Sequence, residues 1–125
     1  MTISNAMASV AVKDIRAAAR WYEKVFGRPA DSTPTPELAE WKFPTGGWLQ
    51  VYALPERAGS CSCTLVVSDI DLEAARLKKL GVATGGQASG TQVKVFMVKD
   101  PDGNSSDAIW VALCALRHRP PRRFD

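Results

Sequence analysis

No apolar run in this sequence approaches the roughly 18 residues that a membrane-spanning helix needs, so no membrane role is expected. The first residues also lack the basic-then-apolar pattern of an export signal, and the expected compartment is the cytoplasm. Cysteine is sparse and odd in number, with Cys61, Cys63 and Cys114. An odd count without an export signal argues against a disulfide framework. Cys61-x-Cys63 has one intervening residue where a redox or zinc knuckle has two, and on a strand the two thiols share a face, as small core residues do. Histidine is sparser still, with His118 alone. Net positive charge is missing from the body of the chain: the net charge is +3, and Arg117, Arg119, Arg122 and Arg123 against Asp125 account for all of it. A nucleic-acid binder needs a basic face on its folded part, and none is indicated. Residues 113–125 read as an exposed basic tail.

What is present is an ordinary globular composition, 46% hydrophobic and 23% charged over 125 residues, enough for one domain with its own core. The chain is organised around Asp100-Pro101-Asp102-Gly103-Asn104, a turn that launches the last strand, and a weaker copy of it is Phe43-Pro44-Thr45-Gly46-Gly47. From Met7 to Lys13 the residues suit a strand with Ala8, Val10 and Val12 on one face and Met7, Ser9 and Ala11 on the other. Asp14 is placed to cap a helix whose Ile15, Ala18, Ala19, Tyr22, Val25 and Phe26 form one stripe, stopped at Gly27. Residues 30–37 read as a proline-punctuated loop at the edge of a pocket. Ala39 to Phe43 and Trp48 to Ala53 then form a hairpin, with Trp48, Gln50 and Tyr52 on one face.

A second round follows. Cys61 to Val67 alternates as a strand, Asp69 caps a helix carrying Ile70, Ala74, Leu77 and Leu80, and Gly81 ends it. Gly85 through Gly90 reads as loop, Val93 to Lys99 as strand, and Ser106 onward as strand again. The landmarks of the two rounds lie 55, 54 and 57 residues apart (Asp14 and Asp69, Gly27 and Gly81, Gly46 and Gly103), which marks an internal repeat of units too small to close a core alone.

These residues carry a resemblance: Asp14-Ile15 leading into Arg20-Trp21-Tyr22 and Phe26-Gly27, then Asp69-Ile70-Asp71 with Leu80-Gly81, and above all Asp100 to Asn104. With them the chain resembles the vicinal oxygen chelate superfamily of glyoxalase I, extradiol dioxygenases and bleomycin-resistance proteins. The resemblance covers residues 7–112 as a single domain, with modules at about 7–54 and 61–112. It implies an α+β fold of two β-α-β-β-β modules, an open, curled mixed sheet around a central cavity with helices outside, commonly as a homodimer. In metal-using members each module supplies one ligand from its first strand and one carboxylate from its last. Carried over, those places are Met7 and Gln50, then Ser62 and Asp107. A thioether, a neutral amide and a hydroxyl are poor replacements for the imidazole and carboxylate donors such a site wants, so neither metal nor other cofactor is expected.

The face that would line the implied cavity offers Trp48 and Tyr52 as apolar walls, and Gln50, Ser62 and Thr64 as polar groups; with Trp41 these are the expected ligand-binding residues. The leading expectation is a metal-free small-molecule-binding protein holding a planar or amphipathic ligand. One alternative is an enzyme of the same superfamily, a lyase, isomerase or dioxygenase-like protein, with Asp107 as catalytic base or metal ligand. Another is a structural or protein-interaction role.

Overall fold

The computed structural model describes residues 2–89 and 93–111, and the side chains of all of these except 86–89, 93–94 and 107–111. Two modules repeat one order of elements. The first is β1 (Met7–Val12), α1 (Ile15–Phe26), β2 (Ser32–Thr35), β3 (Leu38–Lys42) and β4 (Trp48–Ala53). After a short 3₁₀ turn at Pro55–Arg57 come β5 (Ser62–Val66), α2 (Ile70–Lys79), β6 (Gly85–Ser89), β7 (Val93–Lys99) and β8 (Ser105–Val111). Each module forms a four-stranded sheet with the same order, β1-β4-β3-β2 and β5-β8-β7-β6, and the fold is the expected pair of β-α-β-β-β modules with mixed sheets and peripheral helices.

Two segments expected as loops are edge strands. β2 lies within the proline-punctuated stretch, and β6 within the glycine-rich one. Both sit at the outer edge of their sheets and both pair with a register shift, between Ser32 and Thr35 and between Gly85 and Ala88. An edge strand needs only one row of partners, so it tolerates a Pro34 or a Gly-Gly that a central strand would not. Their composition therefore hid them.

The chain divides into two compact units, Met1–Cys63 with Lys99–Ser105, and Thr64–Val98 with Ser106–Asp125. In the first, Asp14 caps α1 by accepting from the amides of Arg16 and Ala17, and the helix ends at Gly27. β1 runs parallel to β4, and β3 antiparallel to β4, so one sheet face presents Val10, Val12, Ala39, Trp41, Leu49 and Val51 to the buried stripe of α1. Tyr22 and Phe26 of α1 pack on Trp41 with ring centroids 6.1 and 5.4 Å away. Trp41 is fully buried, and its indole N–H donates to the Arg28 carbonyl at 3.0 Å. Cys61 and Cys63 pack against this core, as expected of small residues, and Cys61 Sγ accepts from the Ala11 amide at 3.4 Å. In the second unit, Asp69 Oδ1 caps α2 by accepting from Leu72, and Ile70, Leu77, Val82, Phe96 and Val98 are buried.

The two turns that mark the repeat share one hydrogen-bond pattern. Gly103 N–H donates to the Asp100 carbonyl and Asp100 N–H to the Asn104 carbonyl, both at 2.9 Å; Gly46 donates to Phe43 at 3.0 Å and Phe43 to Gly47 at 2.8 Å. Proline second and glycine fourth suit a type I turn followed by a left-handed residue. The later turn adds a buried polar corner to the first unit. Asp100 accepts from the amides of Asp102 and Asn104 and from the Tyr22 hydroxyl at 2.8 Å. Asn104 uses all four of its hydrogen-bonding positions, accepting from Gly59 and Cys61 and donating to the Ala11 carbonyl and to Asp100. Gly59 is obligatory here, because at φ +97° an added Cβ would lie 2.8 Å from the Asp102 carbonyl oxygen.

Candidate functional site

The face of the first sheet opposite α1 follows from strand alternation. β1 contributes Met7, Ser9 and Ala11; β4 contributes Trp48, Gln50 and Tyr52; β3 contributes Leu38, Glu40 and Lys42. The register sets Ser9 beside Gln50, Gln50 beside Glu40, and Glu40 beside Ser32. A single polar row therefore crosses all four strands. Its side chains are joined: Ser9 Oγ donates to Gln50 Oε1 at 3.2 Å, Gln50 Nε2 donates to Glu40 Oε2 at 2.7 Å, and Ser32 Oγ donates to Glu40 Oε1 at 2.9 Å.

Glu40 is 7% exposed while Gln50 and Ser32 are half-buried. The Gln50 amide and then the Ser32 hydroxyl favour its charged form, aided by Lys42, and hold its carboxyl below the usual glutamate range against the opposing effect of burial. Beside the row, Trp48 and Tyr52 are half-buried, one step either way along β4. Lys42 reaches over Trp48 with its ammonium 4.4 Å from the ring centroid. The strand end is fixed from outside the face: Asp31 accepts from the Lys42 amide at 2.6 Å and pairs with Arg28 at 2.7 Å, and both hold its carboxyl low. Arg28 also donates to the Lys42 carbonyl.

Of the residues expected to bind ligand, the structure brings Trp48, Gln50 and Tyr52 onto this one face. Trp41 is on the other side of the sheet, in the core beneath α1 with no exposed ring face, so its expected ligand-binding role is corrected to packing. Ser62 and Thr64 lie exposed on β5, the first strand of the second sheet, on the face also carrying Val66. Asp107 lies within β8, and its side chain falls outside the described residues, as do Cys114, His118 and the tail. Glu40 and Ser32 were not among the expected site residues. The Glu40 signal was present, since a turn closing Phe43 on Gly47 dictates that Lys42 faces Trp48 and Glu40 faces Gln50. Ser32 carried none, because its strand read as loop.

The first-module places that the superfamily uses for metal are Met7 and Gln50. They do not fit a hard divalent cation: one is a thioether, and the other is an amide with its oxygen and its nitrogen already engaged to Ser9 and Glu40. Among the described residues no three His, Cys, Asp or Glu side chains cluster as a metal would require. No helix among them is long and apolar enough to cross a membrane.

Comparison with known proteins agrees with this geometry. A glyoxalase-like domain matches residues 7–109. A glyoxalase/bleomycin resistance protein from Catenulispora acidiphila is 31% identical with a TM-score of 0.80, over 87% of this chain and 99% of that one. TnmS3, an antibiotic binding protein from Streptomyces sp. CB03234, is 26% identical with a TM-score of 0.77, over 89% of this chain and 98% of that one. A glyoxalase/bleomycin resistance protein from the same Streptomyces is 27% identical with a TM-score of 0.70, over 84% and 98%. No significant match was found among curated proteins. Two β-α-β-β-β modules, a domain match across nearly all the described residues and these relatives place the chain in the glyoxalase-like domain family of the glyoxalase/bleomycin-resistance superfamily, whose architecture holds small molecules.

Proposed function

We propose that this chain is a metal-independent binding protein that holds a planar or amphipathic small molecule against the open face of its first sheet. The observation that carries this reading is the joined polar row of Ser9, Gln50, Glu40 and Ser32, flanked on β4 by Trp48 and Tyr52. Two aromatic walls with a few oriented polar groups between them are what a small-molecule site requires. The polar groups are hydrogen-bonded to one another, so little ordering is needed when a ligand arrives. The donor chemistry at Met7 and Gln50 favours binding without a cation. The antibiotic-binding relative supports the same class of activity. A two-fold dimer accompanies this reading, as is common in the superfamily, and light scattering on the purified protein tests it.

The binding test is intrinsic tryptophan fluorescence with a thermal-shift assay, using planar aromatic compounds of differing charge together with bleomycin. Quenching and a raised Tm are expected for at least one compound class in the wild type, and Trp48→Leu abolishes them while the protein stays folded. Silence across the whole set in both measurements would overturn the proposal.

A further inference from the structure

The polar row has a direction. Ser9 donates to Gln50, Gln50 donates to Glu40, and Ser32 donates to Glu40 from the opposite edge of the sheet. Every hydrogen bond in the row therefore runs toward one carboxylate. Glu40 is 7% exposed as a residue, and both of the groups that hydrogen-bond its carboxylate are neutral. Buried glutamates ordinarily have a cation beside them. Among the described residues the two ion pairs are Arg28 with Asp31 and Arg76 with Glu73, and neither involves Glu40. Each Glu40 oxygen accepts one protein hydrogen bond and keeps room for another.

Lys42, on the same face of β3, favours the charged form of Glu40 through space but gives it no hydrogen bond, because its ammonium is seated 4.4 Å from the centre of the Trp48 ring. The ring is thus a cation seat taken by the chain's own side chain. The register puts Trp48 opposite Lys42 and Tyr52 opposite Leu38, so the two rings flank Glu40 diagonally from the neighbouring strand. Diagonal neighbours across a sheet stand about 7–8 Å apart, the span of a fused aromatic system.

We infer that Glu40 sets the charge class of the ligand on this face, selecting planar aromatic compounds that carry a positive charge, with Trp48 as the stacking wall and Lys42 as the internal competitor. The inference rests on the proposed binding function and adds to it the kind of molecule bound. A cationic nitrogen over Glu40 donates to an acceptor that is already ionised and oriented, while its ring displaces the Lys42 ammonium from Trp48. An anionic ring system meets the carboxylate and is repelled.

The test titrates two dyes of similar size and opposite charge, cationic proflavine and anionic 8-anilinonaphthalene-1-sulfonate, into wild type, Glu40→Gln and Lys42→Met, with the melting temperature of each protein recorded. Proflavine is expected to bind the wild type more tightly than the sulfonate. Glu40→Gln weakens proflavine about tenfold or more, the worth of a charge-assisted hydrogen bond, and leaves the sulfonate unchanged or tighter. Lys42→Met tightens proflavine roughly two- to fivefold, since an exposed cation–π competitor has gone, and weakens the sulfonate. The Lys42 side chain is exposed, so this arm decides the matter even if Glu40→Gln unfolds. Equal affinity for the two dyes, unmoved by either substitution, overturns the charge assignment and leaves the binding function standing. Failure of both dyes and of every neutral aromatic compound to bind overturns both.

Discussion

Replacing Asn104 by alanine removes four hydrogen bonds from one buried corner of the first unit. The amides of Gly59 and Cys61 lose their acceptor, the Ala11 carbonyl loses its donor, and Asp100 loses one of its four donors. Asn104 is 1% exposed, so water does not replace these partners without opening the corner. With about 1 kcal/mol net for each bond and more where a buried amide is left unpaired, the loss comes to roughly 3–5 kcal/mol. That is a large part of the about 5–15 kcal/mol that stabilises a typical domain. For a chain of this size it corresponds to a fall in Tm of roughly 10–20 °C. Urea unfolding followed by circular dichroism measures it directly. Asn104→Asp separates the causes: it keeps the acceptor for Gly59 and Cys61 but sets a second carboxylate against Asp100, so it is destabilised at neutral pH and recovers part of the loss on mild acidification. An Asn104→Ala protein within about 1 kcal/mol of wild type would refute the idea that this corner ties the turn to β1 and α1.

Gly59→Ala forces a Cβ against the Asp102 carbonyl at positive φ and costs roughly 2 kcal/mol or more, read as a lower urea midpoint; an unchanged midpoint contradicts the close approach. Trp41→Ala opens the core beneath α1 and costs about 3–5 kcal/mol, whereas Trp48→Ala, on the half-buried face, costs far less stability and acts on ligand affinity, so equal stability losses would reverse the assignment of the two indoles. Asp31 and Glu40 are both held below their ordinary carboxyl range in the folded protein. Their stabilisation is therefore present above the unfolded-state values, 3.8 and 4.5, and is lost as pH falls through the lowered folded values. Asp31→Asn and Glu40→Gln should each flatten the dependence of stability on pH between about 5 and 3, and an unaltered acid limb in both removes these two groups from the acid transition.

The repeat, the helices and the turns are legible along the chain, because those signals are local. Asp14 and Asp69 cap from one residue away, Ile15 to Phe26 keep a single stripe, and a proline and a glycine two places apart specify the two matching turns without reference to anything distant. The faces of β1 and β4 were legible for the same reason, since alternation is a property of neighbours. Tertiary structure decided what depends on partners far along the chain. β2 and β6 became strands because β3 and β7 offered them an edge, although proline and glycine spoke for loops. Trp41 went to the core and Trp48 to the opposite, half-buried face because α1 packs on one side of the sheet. Glu40 became a buried, charged endpoint only once four strands lined up in register, for a carboxylate's surroundings are set by what folds beside it and not by what precedes it.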